Sequence, residues 1–186
     1  MPPSTPLLPR LLLLLAPALT VLALPVHAAS ALELATELTT LTELDRAALF
    51  GARLAVEQGA RLGYIGQAAA SCMAGKPHEP LTAPIARYLA AQLTKKELQA
   101  AVGFYGSELG RRLVQQENQA FVDGLTPGSQ TPPPTPFSKA EQAQVDAFTR
   151  SPAGRKLITR SVMRNAGRDP AIAKVVMRMH DDCVPR

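Results

Sequence analysis

The sequence contains the stretch FYGSELGRRLV at residues 104–114 and a related stretch, FTRSPAGRKLI, at residues 148–158. When the two are aligned without gaps, a Phe, a Ser, a Gly, two consecutive bases and a Leu fall at equivalent positions. Each stretch follows a capping-box sequence, TKKE at residues 94–97 and SKAE at residues 138–141, which is a signal for the start of a helix. The sequence therefore predicts two copies of one unit, a helix followed by a bend and a second helix.

The bend in each unit is predicted from its Ser and Gly residues. Ser107 and Ser151 are expected to cap the second helix, because a serine hydroxyl can accept a hydrogen bond from an amide in the first helical turn. Gly110 and Gly154 fall in that first turn, where the missing side chain permits close contact with neighbouring backbone.

The aromatic residue before each bend indicates how the units pack. Phe104 and Phe148 end the preceding helices and are expected to pack inward against Leu113 and Leu157. Because no stretch shows sustained alternation of apolar and polar residues, the predicted fold class is all-α. We expect a helical bundle with two pseudo-repeated helix–Ser-capped bend–helix units. A groove between the two repeats is the expected binding site, because compact bundles have few clefts.

Residues 1–28 are interpreted as a secretory signal peptide that is cleaved after Ala28. Arg10 precedes an apolar run, residues 11–24, which Pro17 interrupts and which is too short to span a bilayer. A permanent N-terminal anchor is the alternative. The shortness of the apolar run and the small residues that follow it favour cleavage. We therefore expect a periplasmic or secreted protein with no transmembrane span after cleavage.

Residues 29–186 are predicted to form a single helical domain with four parts. These are leading helices in 29–93, the first repeat in 94–125, a Pro-rich linker in 126–137, and the second repeat with a C-terminal helix in 138–186. In the leading part a capping box begins a helix at Ser30, and Thr39–Thr42 weakens it. The apolar pattern then resumes and predicts one continuous helix to Gly75, a loop over 75–84 and a short helix at about 84–92.

The composition excludes some classes of partner. The chain of 186 residues carries a net charge of +5, contains 4% aromatic residues and has no Trp. The charge is mild and no block of like charges occurs, so we expect no nucleic-acid binding. A carbohydrate groove is also disfavoured because such grooves use aromatic ring faces. The expected partner is an unidentified envelope protein or polymer.

Cys72 and Cys183 are the only cysteines in the chain. An even number of cysteines in an exported protein favours a disulfide, since exposed thiols do not persist in oxidising compartments. The alternative is two unpaired thiols, one in a helix and one near the C-terminus. The absence of a Cys-x-x-Cys motif argues against redox catalysis.

Two pairs of basic residues follow the bends, Arg111 with Arg112 and Arg155 with Lys156. They could present two cationic corners to a phosphate or an acidic polymer, helped by the amides of the capped helices. The alternative is that they pair with acidic residues of the helices and cover apolar surface with their stems. Both interpretations remain open from the sequence.

No arrangement of residues points to a known catalytic or metal centre. His78 and Glu79 in the predicted loop could act as a general acid/base pair in an unrecognised hydrolase. The run from His180 to Cys183 contains metal-capable atoms, but adjacency in sequence is not coordination geometry. We expect no metal, no cofactor and no catalytic residue. Met163, Met177 and Met179 are expected to fill gaps in the core.

The duplicated Phe-x-x-Ser-x-x-Gly-Arg-base-Leu pattern behind a signal peptide resembles a bacterial family of exported helical proteins that is catalogued only as a domain of unknown function. The resemblance covers roughly residues 90–166 and is closer in the second repeat, since the first has Glu108 where the pattern has proline. The family brings no activity, cofactor or site residue. It implies export, an all-α fold and a place in the cell envelope.

We therefore expect an exported, non-enzymatic helical protein of the bacterial envelope with a binding or scaffolding role. A peripheral binder of anionic lipid or cell-wall polymer, using the bases after the bends, is the alternative, and an unrecognised hydrolase is a further one.

Overall fold

The computed structural model describes residues 29–125 and 132–184, and within these ranges it contains helices and no strand, which confirms the all-α prediction. The predicted signal peptide, its cleavage site and residues 126–131 of the linker lie outside the described residues. The helices are α1 (Ala31–Leu41), α2 (Leu44–Arg61), α3 (Gln67–Ala74), α4 (Glu79–Gln92), α5 (Lys95–Tyr105), α6 (Glu108–Leu125), α7 (Lys139–Arg150), α8 (Pro152–Gly154), α9 (Val162–Asn165) and α10 (Pro170–Asp181).

The leading helices begin and break where the capping and threonine signals place them. Ser30 and Glu33 form the predicted capping box, with each side chain bonded to the other's backbone amide. Helix α1 ends after Leu41, and Glu43 adopts a left-handed backbone conformation with φ of 50° before α2 begins. The side chain of Thr42 donates to the carbonyl of Leu38 at 2.8 Å and so satisfies a carbonyl at the end of α1.

The prediction of one helix continuing to Gly75 is wrong, because α2 ends at Arg61 and α3 starts at Gln67. Gly63 between them has φ of 78°, a left-handed conformation that favours glycine and ends the helix. A Cβ added to Gly59 would lie 2.7 Å from the side chain of Ile65. The absence of a side chain at Gly59 therefore leaves room for Ile65 of the connecting loop.

Helix α4 is longer than predicted and lies at the centre of the bundle. It starts at Glu79 instead of about residue 84, so part of the predicted loop is helical. Pro80 lies in the first turn, where amides have no intrahelical acceptor, so its missing N–H does little harm there. Leu81, Ile85 and Leu89 are fully buried, and α4 contacts α1, α2, α9 and α10.

The two bends have the predicted caps. The hydroxyl of Ser107 accepts a hydrogen bond from the amide of Gly110 at 3.0 Å, and Ser151 accepts from Gly154 at 3.1 Å. A Cβ on Gly110 would lie 2.1 Å from the carbonyl oxygen of Phe104, and one on Gly154 would lie 2.0 Å from that of Phe148. The close backbone contact expected at both glycines is therefore confirmed.

The second helix of repeat 2 is shorter than the equivalent helix in repeat 1. After Ser151 the chain forms α8, continues as a π-helical segment (Arg155–Thr159) and turns at Ser161, which has φ of 57°. Helix α9 and a 3₁₀ turn follow before Asp169 caps α10 by accepting from the amides of Ala171 and Ile172.

The two repeats meet through their equivalent aromatic rings. Phe104 and Phe148 are stacked, with ring centroids 3.9 Å apart and ring planes 3° from parallel. Tyr105 meets both rings edge-on at 5.2 and 5.5 Å. Because a residue packs on its own equivalent, the repeats are related by an approximate two-fold axis that passes between the rings.

Ion pairs cross this axis reciprocally. Arg112 of repeat 1 binds the capping-box residue Glu141 of repeat 2 at 2.8 Å. Lys156, the equivalent of Arg112, binds Glu97, the equivalent of Glu141, at 2.7 Å. The carboxylate of each capping box thus caps the start of its own helix and also forms an ion pair with the opposite repeat.

This double role predicts a pH-dependent stability. The hydrogen bond from the Ser138 backbone, followed by that from Arg112, lowers the pKa of Glu141 from its ordinary value of 4.5 to about 2. A lowered folded pKa stabilises the fold above pH 4.5, and this contribution is lost as the pH falls toward 2. The Glu141→Gln variant keeps a side chain that can form the capping box but has no charge. We expect it to be less stable than wild type at pH 7, with the difference shrinking between pH 4.5 and 2 in urea unfolding.

A double-mutant cycle provides the control for this prediction. Arg112→Gln should lower stability at pH 7, and adding Glu141→Gln to it should cost less than the same change in wild type. Strict additivity of the two changes would show that the crossed ion pair does not contribute to stability.

The predicted disulfide is present. Cys72 in α3 is bonded to Cys183, just beyond the end of α10, with the Cα atoms 5.6 Å apart and a separation of 111 positions in sequence. Lys76 and Asp182 approach to 3.5 Å beside it. The bond therefore joins the leading helices to the C-terminal end of the described chain.

Candidate functional site

A cavity of about 370 Å³ lies between α2, the second half of α6 and residues 76–78, and we call it the α2 hollow. Its lining residues are Glu43, Arg46, Ala47, Leu49, Phe50, Arg53, Lys76, Pro77, His78, Asn118, Phe121 and Val122. This volume is within the range of small-molecule sites in proteins, which is roughly 300–1,000 Å³.

Two polar contacts fix the start of α2 beside this hollow. Asp45 is almost fully buried, and its carboxylate accepts a 2.6 Å hydrogen bond from the hydroxyl of Thr82 in α4. The left-handed residue Glu43 accepts a 2.9 Å hydrogen bond from the side-chain amide of Asn118 in α6. Because a buried carboxylate needs such partners, these contacts hold α2 in one position against α4 and α6.

One wall of the α2 hollow is apolar. Leu49 is buried at its base, and Phe50 meets Phe121 edge-on with ring centroids 5.7 Å apart. Phe121 and Val122 are large apolar residues that remain 47% and 39% exposed. Apolar side chains that line an open cavity favour a ligand or partner with an apolar part.

Cationic side chains also line the α2 hollow, and two of them, Arg46 and Arg53, are on the same helix as Phe50. Arg46 lies 3.3 Å from the carboxylate of Glu43 and 3.5 Å from Nε2 of His78. Lys76 lies 3.5 Å from Asp182. Arg53 donates through Nη2 to the carbonyl of Lys76 at 2.5 Å, and its buried Nε has no hydrogen-bond partner among the described residues.

A second cavity, of about 500 Å³, is also lined by Phe121, and we call it the Met177 hollow. Ala47 and Phe121 line both hollows, and the remaining walls come from α2, α9, the 3₁₀ turn and α10. The expectation that Met177 fills a gap in the core is wrong, because its side chain is 61% exposed at this cavity. Met179, in contrast, is buried as expected.

The stacked rings of Phe104 and Phe148 occupy part of the interface between the repeats, where a groove was expected. A smaller cavity of about 240 Å³ remains at one side, where Thr94 and Glu97 face Ser151 and Pro152. The two larger hollows lie beside α2, outside the repeat interface.

The four bases after the bends all have partners inside the protein. Arg112 and Lys156 form the crossed ion pairs, while Arg111 donates to the carbonyl of Gly106 and Arg155 donates to a carbonyl at the end of α7. Such contacts agree with the interpretation in which these bases stabilise the fold. None of the four lines the α2 hollow.

Glu79 is the first residue of α4 and so is not in a loop, whereas His78 is in the segment before the helix, as predicted. Nδ1 of His78 is 3.8 Å from the carboxylate of Glu79, and Nε2 is held by Arg46. His78 lines the α2 hollow, but no hydroxyl or thiol group is among the residues that line this cavity. The hydrolase hypothesis therefore has no side-chain nucleophile here and would require an activated water molecule.

The C-terminal run from His180 to Cys183 does not gather metal ligands. Nδ1 of His180 lies 3.6 Å from Asp181, and the sulfur of Cys183 is bonded to Cys72. In residues 29–125 and 132–184 no group of three or more His, Cys, Asp or Glu side chains is placed to hold a metal ion. Over the same ranges, no helix has the length and apolarity needed to cross a membrane.

Sequence reasoning did not find the α2 hollow. The available signal was the set of arginines on α2, where Arg46 and Arg53 lie seven residues apart and share a helix face with Phe50. The partners Phe121 and Lys76 come from distant parts of the chain, so periodicity within one helix could not bring them together.

Residues 79–130 match the model of a family described as an uncharacterized protein conserved in bacteria, DUF2059. The match includes α4 and the first repeat and stops before the second repeat. Neither the curated proteins nor the solved structures contained a match to the chain.

Proposed function

We propose that this chain is an exported helical protein of the bacterial cell envelope that binds a ligand in the α2 hollow and does not catalyse a reaction. The observation that carries the proposal is the composition of this cavity, which combines exposed apolar side chains with a group of cationic ones. Binding sites of this kind use apolar surface for affinity and a few polar groups for orientation.

The Cys72–Cys183 disulfide supports the exported location. Structural disulfides form and persist in the periplasm and outside the cell, whereas cytosolic thiols are kept reduced. The match to a bacterial family over residues 79–130 agrees with a bacterial protein. Cleavage after Ala28 belongs to the same proposal.

A binding role is favoured over catalysis by the chemistry of the lining residues. The hollow holds one histidine whose Nε2 is already engaged by Arg46, and it offers no side-chain hydroxyl or thiol. General acid/base work needs a titratable group that is free to reach the substrate. A role as a surface binder through Arg112 and Lys156 is disfavoured because both form ion pairs between the repeats.

Native mass spectrometry of the exported, non-reduced chain tests the proposal. We expect a bound molecule in the wild type and an unliganded mass consistent with a chain that begins at Ala29 and has lost two hydrogens to the disulfide. The Ala47→Phe variant should lose the molecule, because Ala47 lines both hollows and a ring there would fill them.

The matched control is Ala55→Phe, an exposed alanine of α2 that lines neither hollow. This variant should retain the bound molecule. A wild type that carries nothing, or a molecule that both variants retain equally, would contradict binding in the α2 hollow.

A further inference from the structure

We propose that the ligand of the α2 hollow is a single-chain fatty carboxylate, whose head is held by Arg53 and whose chain passes Phe121 toward the Met177 hollow. This inference rests on the proposed function and adds the chemical class of the ligand.

The charged side chains that line the α2 hollow, with their ion-pair partners, indicate a monoanion. The cation of Arg46 is faced by Glu43, and that of Lys76 is faced by Asp182. Arg53 has no carboxylate partner among the described residues and bonds only to a backbone carbonyl. One uncompensated guanidinium beside an apolar wall therefore matches a ligand with one negative charge.

The geometry of Arg53 explains why a carboxylate fits. Its Nε is buried and has no acceptor among the described residues, although a guanidinium offers several N–H donors in one plane. A carboxylate can accept two of these hydrogen bonds side by side, which a neutral alcohol or ester cannot do as strongly. Arg53 thus supplies both the charge and a donor that lacks a partner.

The position of Phe121 explains why the ligand should carry a long chain. Its ring lines both hollows and is 47% exposed, while Met177 is an exposed residue of the Met177 hollow. An unbranched chain starting at Arg53 would cover Phe50 and Phe121 and continue into the Met177 hollow. Burial of apolar surface by both partners favours this arrangement.

Calorimetric titration of the oxidised mature chain with laurate tests the inference, using concentrations below the onset of micelles. We expect saturable binding of laurate, with glycerol monolaurate about tenfold weaker because it lacks the charge. Hexanoate should bind at least about a hundredfold more weakly than laurate, since it buries fewer methylenes. Arg53→Gln should lower the affinity for laurate about tenfold and should remove the preference for laurate over the neutral ester.

Arg61→Gln is the matched control, because Arg61 is on the same helix and pairs with the exposed Glu57 away from the hollow. Its laurate affinity should equal that of wild type. If Arg53→Gln does not fold, the Ala47→Phe variant provides the second test and should abolish laurate binding with the cations intact.

Three results would overturn the inference: no binding of laurate, equal binding of laurate and glycerol monolaurate, or tighter binding of dodecyl phosphate than of laurate. The proposed function can be tested separately from the identity of the ligand. A co-purified molecule that Ala47→Phe displaces, together with no laurate binding, would leave a binding role in place and remove only the fatty carboxylate.

Discussion

The Cys72→Ser variant is expected to lose about 4 kcal/mol of its free energy of unfolding. The disulfide closes a loop of 111 positions, and in the chain-entropy model a cross-link of this length stabilises by about 4–5 kcal/mol, mainly by restricting the unfolded chain. Cys183 is buried and Cys72 is an exposed residue of α3. Urea unfolding of wild type and variant, each with and without reductant, measures the effect.

The control for this prediction is the comparison of unfolding with and without reductant. Reduction should lower the unfolding midpoint of wild type and should leave the Cys72→Ser variant unchanged, because the variant has no bond to break. If complete reduction of the disulfide left the unfolding midpoint of wild type unchanged, the stabilising role of the disulfide would be contradicted. Uptake of an alkylating agent without reduction would show that the bond does not form in the exported protein.

The disulfide also affects the proposed binding site through the segment that follows α3. Lys76 lies four residues after Cys72 and is bound on one side by Asp182, next to Cys183, and on the other side by Arg53. Loss of the disulfide removes the restraint on Asp182, which lies at one end of this series of contacts. Reduction is therefore expected to loosen residues 76–78 of the α2 hollow more than the surfaces that α2 and α6 contribute to it.

Local signals were sufficient for the repeats because the interactions that form them lie within a few residues. Each capping box acts over three residues, and each serine cap bonds the amide three residues later. Gly110 and Gly154 face carbonyls of the preceding helix, only six residues back in sequence. A motif of this span contains most of its own partners, and its geometry could be predicted without knowing the fold.

Features that depend on distant partners could not be predicted in the same way. The continuous apolar pattern from Leu49 to Ala69 suggested one helix, and the left-handed conformation of Gly63 interrupts it. The sequence permitted pairing of Arg112 and Lys156 with acidic residues, but their reciprocal exchange between the repeats required the two-fold arrangement. The α2 hollow combines residues from α2, α6 and 76–78, which no local pattern relates.

The Gly154→Ala variant should be destabilised by about 3 kcal/mol or more, and Gly110→Ala should behave alike. The new Cβ would lie 2.0 Å from the carbonyl oxygen of Phe148 and 2.8 Å from Cα of Thr149, so backbone must move to accept it. Overpacking that displaces backbone costs typically 1–3 kcal/mol and occasionally more. Here the displaced segment also carries the Phe148 ring that stacks on the other repeat, so the change should weaken the contact between the repeats as well.

Gly103→Ala is the matched control for this prediction. Gly103 lies inside α5, and a Cβ there would meet nothing within 4 Å. Replacing an exposed glycine within a helix by alanine should stabilise the protein by roughly 0.5–1 kcal/mol. The same chemical change should therefore have opposite signs at the two positions in urea unfolding. If Gly154→Ala matched Gly103→Ala in stability, the close backbone contact at the bend would not be what requires a glycine there, and the duplicated motif would need a different physical explanation.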